Sequence, residues 1–195
     1  HLLDKELGDD LFDRSNENSH HADREFKKEA LATLSRAFIN NHDLDTTILE
    51  INTLRMSYNV SYNDVRNATI ISIFNRIESL VSNNNLKFQE SCLKVLNQWL
   101  ALFKRQIFDE DDKRDFLNQL IKISQKYPDI GEKLVYITID SMYNNDILLE
   151  DDILGWYDAN QATVKNALVI KYVDWLRNAE SESESESDDN SSSEE

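Results

Sequence analysis

Apolar residues recur along this chain at the three- and four-residue spacing that gathers them on one side of a helix, in eight successive blocks. Phe26, Ala30, Leu31, Leu34, Ala37 and Phe38 predict a first helix from Asp23 to about Asn40, and Leu44, Ile48, Ile51, Leu54 and Tyr58 predict a second. Val65, Ala68, Thr69, Ser72, Ile73, Arg76, Ile77 and Leu80 carry a third, opened by "SYND" and closed by the polar turn "SNNN" at 82–85. Phe88, Cys92, Val95, Leu96, Trp99 and Phe103 mark a fourth. Asp109 caps a fifth, whose inward face is Phe116, Leu117, Leu120, Ile121 and Ile123. Pro128 opens a sixth, where its missing amide hydrogen costs nothing, with Leu134, Ile137, Ile139 and Met142 following. A short seventh covers about 151–159, and an eighth 162–177.

Such a run of helices joined by short polar turns predicts an all-α domain of antiparallel pairs, stacked as a right-handed HEAT-like array over 22–178. Three glycines and one proline agree, because strand-rich folds need more of both at their turns. Residues 1–21 read as a flexible polar lead-in and 179–195 as a disordered acidic Ser/Glu tail, neither with enough apolar surface to offset the entropy of ordering. The first residue is His1 and not Met, as in a piece of a longer chain.

Charge narrows the partners. The net charge is −16, of which residues 180–195 supply eight acids and no base, and residues 1–21 a net −4. A chain of this sign repels phosphate backbones and keeps itself soluble; direct nucleic-acid binding is not expected, and a basic protein surface is the natural partner. The single Cys92 excludes an internal disulfide and a cysteine metal cluster, in keeping with a cytoplasmic location. No apolar run is long enough to span a membrane. Glycine-rich phosphate loops, zinc-binding His-Glu helix motifs and nucleophile elbows are all missing, so neither a metal, a cofactor nor bond-making catalysis is expected.

Two acidic constellations remain. In "LEINTLRMSYN", Thr47 and Glu50 have capping-box spacing, which would turn Glu50 back on its own helix; alternatively Glu50 and Ser57, seven apart, share a solvent face opposite the apolar stripe. In "EDDILGWYDAN", Glu150, Asp151 and Asp152 suit the positive end of a helix dipole, with Trp156 and Tyr157 one turn on. "VIKYVDWL" repeats the union of acid and aromatic at Tyr172, Asp174 and Trp175. A tryptophan beside a carboxylate accepts a lysine stem and its ammonium together, and one of Trp156 and Trp175 is expected in the core.

With "LEINTLRMSYNVSYNDVR" early and "EDDILGWYDAN" then "VIKYVDWL" late, the chain resembles the catalytic carboxyl-terminal domain of the epsilon subunit of eukaryotic translation initiation factor 2B. Domains of this type carry two aromatic and acidic AA-boxes and also end initiation factor five and the scaffold subunit four G. The resemblance implies guanine nucleotide exchange on initiation factor two. Glu50 matches the glutamate most closely tied to exchange, with Thr33 and Ser57 at neighbouring family-important positions. Glu150, Asp151, Asp152, Trp156, Tyr157 and Trp175 match positions implied to bind lysine-rich blocks of the beta subunit, and the gamma subunit's GTPase domain is the implied second contact. Gly155 departs from the helix-favouring pattern. Other 2B subunits, reached through regions outside this chain, and an acid-directed kinase acting on the tail serines complete the implied partners. Against exchange stands a pure adaptor that only holds lysine-rich tails; a third reading, an RNA-contacting scaffold, conflicts with the charge.

Overall fold

A computed structural model describes the backbone of residues 2–83 and 87–189 and the side chains of 19–83 and 87–179. Among the described residues there are eight α-helices, one 3₁₀ helix and no strand: α1 (Leu2–Asn40), α2 (Leu44–Tyr58), α3 (Tyr62–Asn83), α4 (Phe88–Trp99), the 3₁₀ segment (Leu100–Arg105), α5 (Glu110–Ser124), α6 (Gly131–Asn144), α7 (Glu150–Ala159) and α8 (Ala167–Asp189). The all-α expectation holds.

Helix ends explain how a chain so poor in glycine turns so often. Asn41, Asn59 and Asp146 take the left-handed backbone conformation after α1, α2 and α6, with φ of 56°, 51° and 58°. In each case the next amide reaches back five residues, His42 to Ala37 O, Val60 to Arg55 O and Ile147 to Met142 O. Asn and Asp tolerate this conformation better than other side chains, so they fill the closing position that glycine usually occupies.

Among the described residues, the close backbone approach that does require glycine is at Gly131, where an added Cβ would stand 2.2 Å from the Ser124 carbonyl oxygen. The crossing brings the end of α5 against the start of α6. α6 begins at Gly131, past the expected start at Pro128, which lies in the intervening turn. At the other late boundary, the Asn166 carboxamide oxygen accepts from the amides of Leu168 and Val169, at 3.0 and 3.3 Å, and α8 starts at Ala167, not at 162.

Helices pack in consecutive pairs, α1 with α2, α3 with α4, α5 with α6 and α7 with α8, and alternate ones stack: α1 on α3, α3 on α5 and α5 on α7 form one layer, α4 on α6 and α6 on α8 the other. This pattern is compatible with the expected HEAT-like array. α3 is the centre of the early half, buried almost without a break from Ala68 to Phe74 because it has neighbours on most sides. Its Arg66 is buried too, donating to Asp115 Oδ2 at 2.9 Å and to the Gln106 carbonyl at 2.7 Å, with Asp112 at 3.4 Å. Helix continues through 2–21, where the sequence reading places a flexible lead-in, and through 179–189, where it places a disordered tail. The first stretch has no proline, and glutamate in the second is a good helix former. The rest of the tail, 190–195, lies outside the described residues.

Candidate functional site

The amino end of α2 is satisfied without Glu50. Asp43 is the N-cap, its carboxylate accepting from the Thr46 amide at 3.2 Å, and the Thr47 hydroxyl donates to the Asp43 carbonyl at 2.9 Å. Because the helix begins at Leu44, the Thr47–Glu50 capping box does not form. Glu50 lies in the second turn, exposed, with no hydrogen bond or ion pair among the described residues. Leu49 and Met56, 66% and 63% exposed, flank Glu50 and Ser57 on the outward face of α2. Two unshielded apolar residues around an unpaired carboxylate are what a docking protein can cover.

Across from this face runs α1. The Tyr58 hydroxyl donates to Glu29 Oε1 at 2.8 Å, tying the two helices together, and that bond, with burial and the nearby Glu29 and Glu25 charges, raises the phenol's pKa. An open groove of about 520 Å³ lies between them, lined by Glu29, Thr33, Arg36, Leu49, Glu50 and Thr53 among others. It thus brings together Thr33 and Glu50, two of the three residues the resemblance ties to exchange. Ser57 is exposed one further turn along α2 and does not line the groove. Thr33 is only 8% exposed.

The late segment divides by role. Asp152 is structural: its carboxylate accepts from Lys113 Nζ on α5 and from the Leu149 amide, both at 2.8 Å. Burial alone would raise the carboxyl pKa, but the Lys113 and Leu149 bonds outweigh it and hold it below the usual carboxylate value. Leu149 has no side-chain acceptor to return the bond, so only one half of a capping box exists. Trp156 is core, 2% exposed, its Nε1–H donating to Asn118 Oδ1 at 2.9 Å. Tyr157 is half-buried against the core, Asp151 is exposed, Glu150 is half-buried, and Asp158 pairs with Arg177 to join α7 to α8.

Trp175 is the exposed tryptophan, at 55%. It stacks on Tyr172 with ring centres 5.7 Å apart, and Tyr136 meets Tyr172 edge-on at 5.6 Å. A cleft of about 450 Å³ between α6 and α8 is lined by these three rings with Asp140, Leu168 and Lys171. The Tyr172 hydroxyl is buried, and its pKa is pushed up by burial and then by Asp140. The sequence reading found Trp175 but missed Tyr136 and Asp140; their four-residue spacing on α6 was the available signal.

Burial pushes the Cys92 thiol up to about 12, leaving it un-ionised and inert. Among the described residues the geometry leaves two differently equipped exposed surfaces, the α1–α2 groove with Glu50 and the α6–α8 cleft with Trp175.

Residues 112–186 match the family model described as W2: eIF4-gamma/eIF5/eIF2-epsilon. The chain is similar, at 34% identity over 164 residues covering 81% of its length, to translation initiation factor eIF2B subunit epsilon of Schizosaccharomyces pombe (strain 972 / ATCC 24843). It spans 23% of that protein's length. The resemblance to the carboxyl-terminal domain of eIF2B epsilon is borne out, and the chain is a domain of the translation-initiation-factor kind. No described helix is long and apolar enough to cross a membrane.

Proposed function

We propose that this domain promotes GDP release from initiation factor two. The observation that carries the reading is Glu50: an exposed carboxylate without a partner among the described residues, flanked by exposed Leu49 and Met56 and sharing a groove with Thr33. Similarity to the epsilon subunit supports it, since a span covering 81% of the chain necessarily includes Glu50, whereas the W2 match begins at residue 112 and does not.

The two surfaces divide the work. The lysine-rich blocks of the partner's beta subunit lie along Trp175, Tyr172 and the adjacent Asp174, with Asp151, exposed at the start of α7, as a further acid, raising the local concentration of the GTPase. Glu50 then meets the nucleotide-binding domain of the gamma subunit and competes there for the cations, lysine or Mg²⁺, that hold the diphosphate. Exchange of this kind is differential binding to the nucleotide-poor state and needs no nucleophile or general base. Within the same reading the remaining 2B subunits adjoin this domain in a cytoplasmic assembly, and an acid-directed kinase modifies the tail.

The W2 match over 112–186 favours a second reading, an adaptor that binds lysine-rich tails and accelerates nothing. Release of labelled GDP from purified initiation factor two decides between them. Acceleration by the chain, lost in a folded Glu50→Ala variant, supports exchange; binding without acceleration supports the adaptor.

A further inference from the structure

Thr33 presents a contradiction within the exchange surface. It stands at a position tied to exchange by resemblance, yet at 8% exposure a docking protein reaches only its edge. What its hydroxyl does is accept a hydrogen bond from Arg36 Nη2, at 3.4 Å, one turn further along α1. Arg36 is exposed and lines the same groove as Glu50. In a chain of net charge −16, and with Glu29 and Glu50 also lining that groove, its guanidinium nonetheless forms no ion pair among the described residues. Glu29 is engaged by the Tyr58 hydroxyl. Arg36 and Glu50 therefore stand in one open groove as separate, opposite and uncompensated charges.

A partner surface that answered only Glu50, with a lysine, would set that cation near a second cation. One that also supplied an anion would satisfy both. Guanidinium suits this task because its planar fork grips an oxyanion at two points, and the Thr33 bond uses only one of its five donor hydrogens.

We propose that Arg36 is a second contact residue of the exchange surface, taking an oxyanion of the nucleotide-binding partner, and that Thr33 is a positioning residue that acts by orienting Arg36. The inference rests on the exchange reading. The oxyanion is either a partner carboxylate or a phosphate of the bound nucleotide.

The test is a double-mutant cycle on GDP release with the whole chain, using Arg36→Gln, Thr33→Val and both together, with Glu50→Ala as reference and thermal unfolding to verify folding. Arg36→Gln is expected to lower kcat/KM by about tenfold, the size of a lost interfacial charge contact. Arg36→Lys should recover part of the loss. Thr33→Val should cost less, and nothing further once Arg36 is gone, because the pair acts as one unit. Additive losses overturn the positioning role. Wild-type release by Arg36→Gln, with Glu50→Ala inactive, overturns the contact while leaving the exchange reading intact; no acceleration by the wild-type chain removes that reading and the inference with it. Binding of Arg36→Gln to the nucleotide-free and GDP-loaded partner identifies the source. Weakening of the GDP-loaded complex alone assigns a phosphate, equal weakening of both assigns a carboxylate, and weakening of neither overturns the proposal.

Discussion

Trp156 and Trp175 carry the same side chain next to similar acids and do opposite things. Trp156 fills the space between α7 and α5 and satisfies its indole N–H on Asn118, whereas Trp175 stacks on Tyr172 and stays open to solvent. Trp156→Ala should cost about 3–5 kcal/mol of stability in denaturant unfolding. Trp175→Ala should leave the unfolding midpoint in place and weaken binding to a lysine-rich peptide. The sequence indicates that one of the two is core, because both segments show apolar spacing. It does not say which, since the deciding contact, Asn118, lies 38 residues away on another helix. The glycines separate in the same manner. Gly155 has nothing within 4 Å of an added Cβ, and Gly155→Ala should stabilise α7 by about 0.5–1 kcal/mol, while Gly131→Ala should destabilise by about 1–3 kcal/mol through its clash with Ser124.

At the scale of elements, periodicity reveals the helices and local chemistry sets their ends. Asp109 was legible as a cap, its carboxylate accepting from the Asp112 amide at 2.8 Å, because cap and first turn are adjacent in sequence. The Thr47–Glu50 pair has the spacing of a cap but loses to Asp43, which starts α2 earlier and releases Glu50 to the surface. α7 is held to α5 by Lys113 and Asp152, a pairing no local pattern announces. Asp152 has a lowered pKa, so its contribution is fully present above the unfolded carboxylate value of about 3.9 and is lost as pH falls through the lower folded value. Asp152→Asn should therefore destabilise by about 1–3 kcal/mol at neutral pH. The difference from wild type should shrink on acidification below the usual carboxylate range, as read from unfolding curves over pH. A constant difference across that range would contradict the assignment.

Over the whole molecule, the two surfaces sit at opposite ends of the sequence of packed helices. α1 and α2 pack on α3, and α8 packs on α6 and α7. Resemblance made the early surface legible at Glu50, but its depth was not: Thr33 is buried, and Arg36, from the facing helix, completes the groove. The late surface was legible as an acid-and-aromatic region. Its cleft was not, because Tyr136 and Asp140 come from α6, which folding alone brings against α8. The central claim is that one end holds the partner and the other loosens its nucleotide. The most direct measurement is the rate of GDP release from initiation factor two as a function of the concentration of this chain, for wild type, Glu50→Ala and Trp175→Ala. The account predicts that Trp175→Ala reaches the wild-type limiting rate at higher concentration, while Glu50→Ala never reaches it at any concentration. A Glu50→Ala variant that attains the wild-type limit, or a Trp175→Ala variant that lowers the limit without changing the half-saturating concentration, would contradict it.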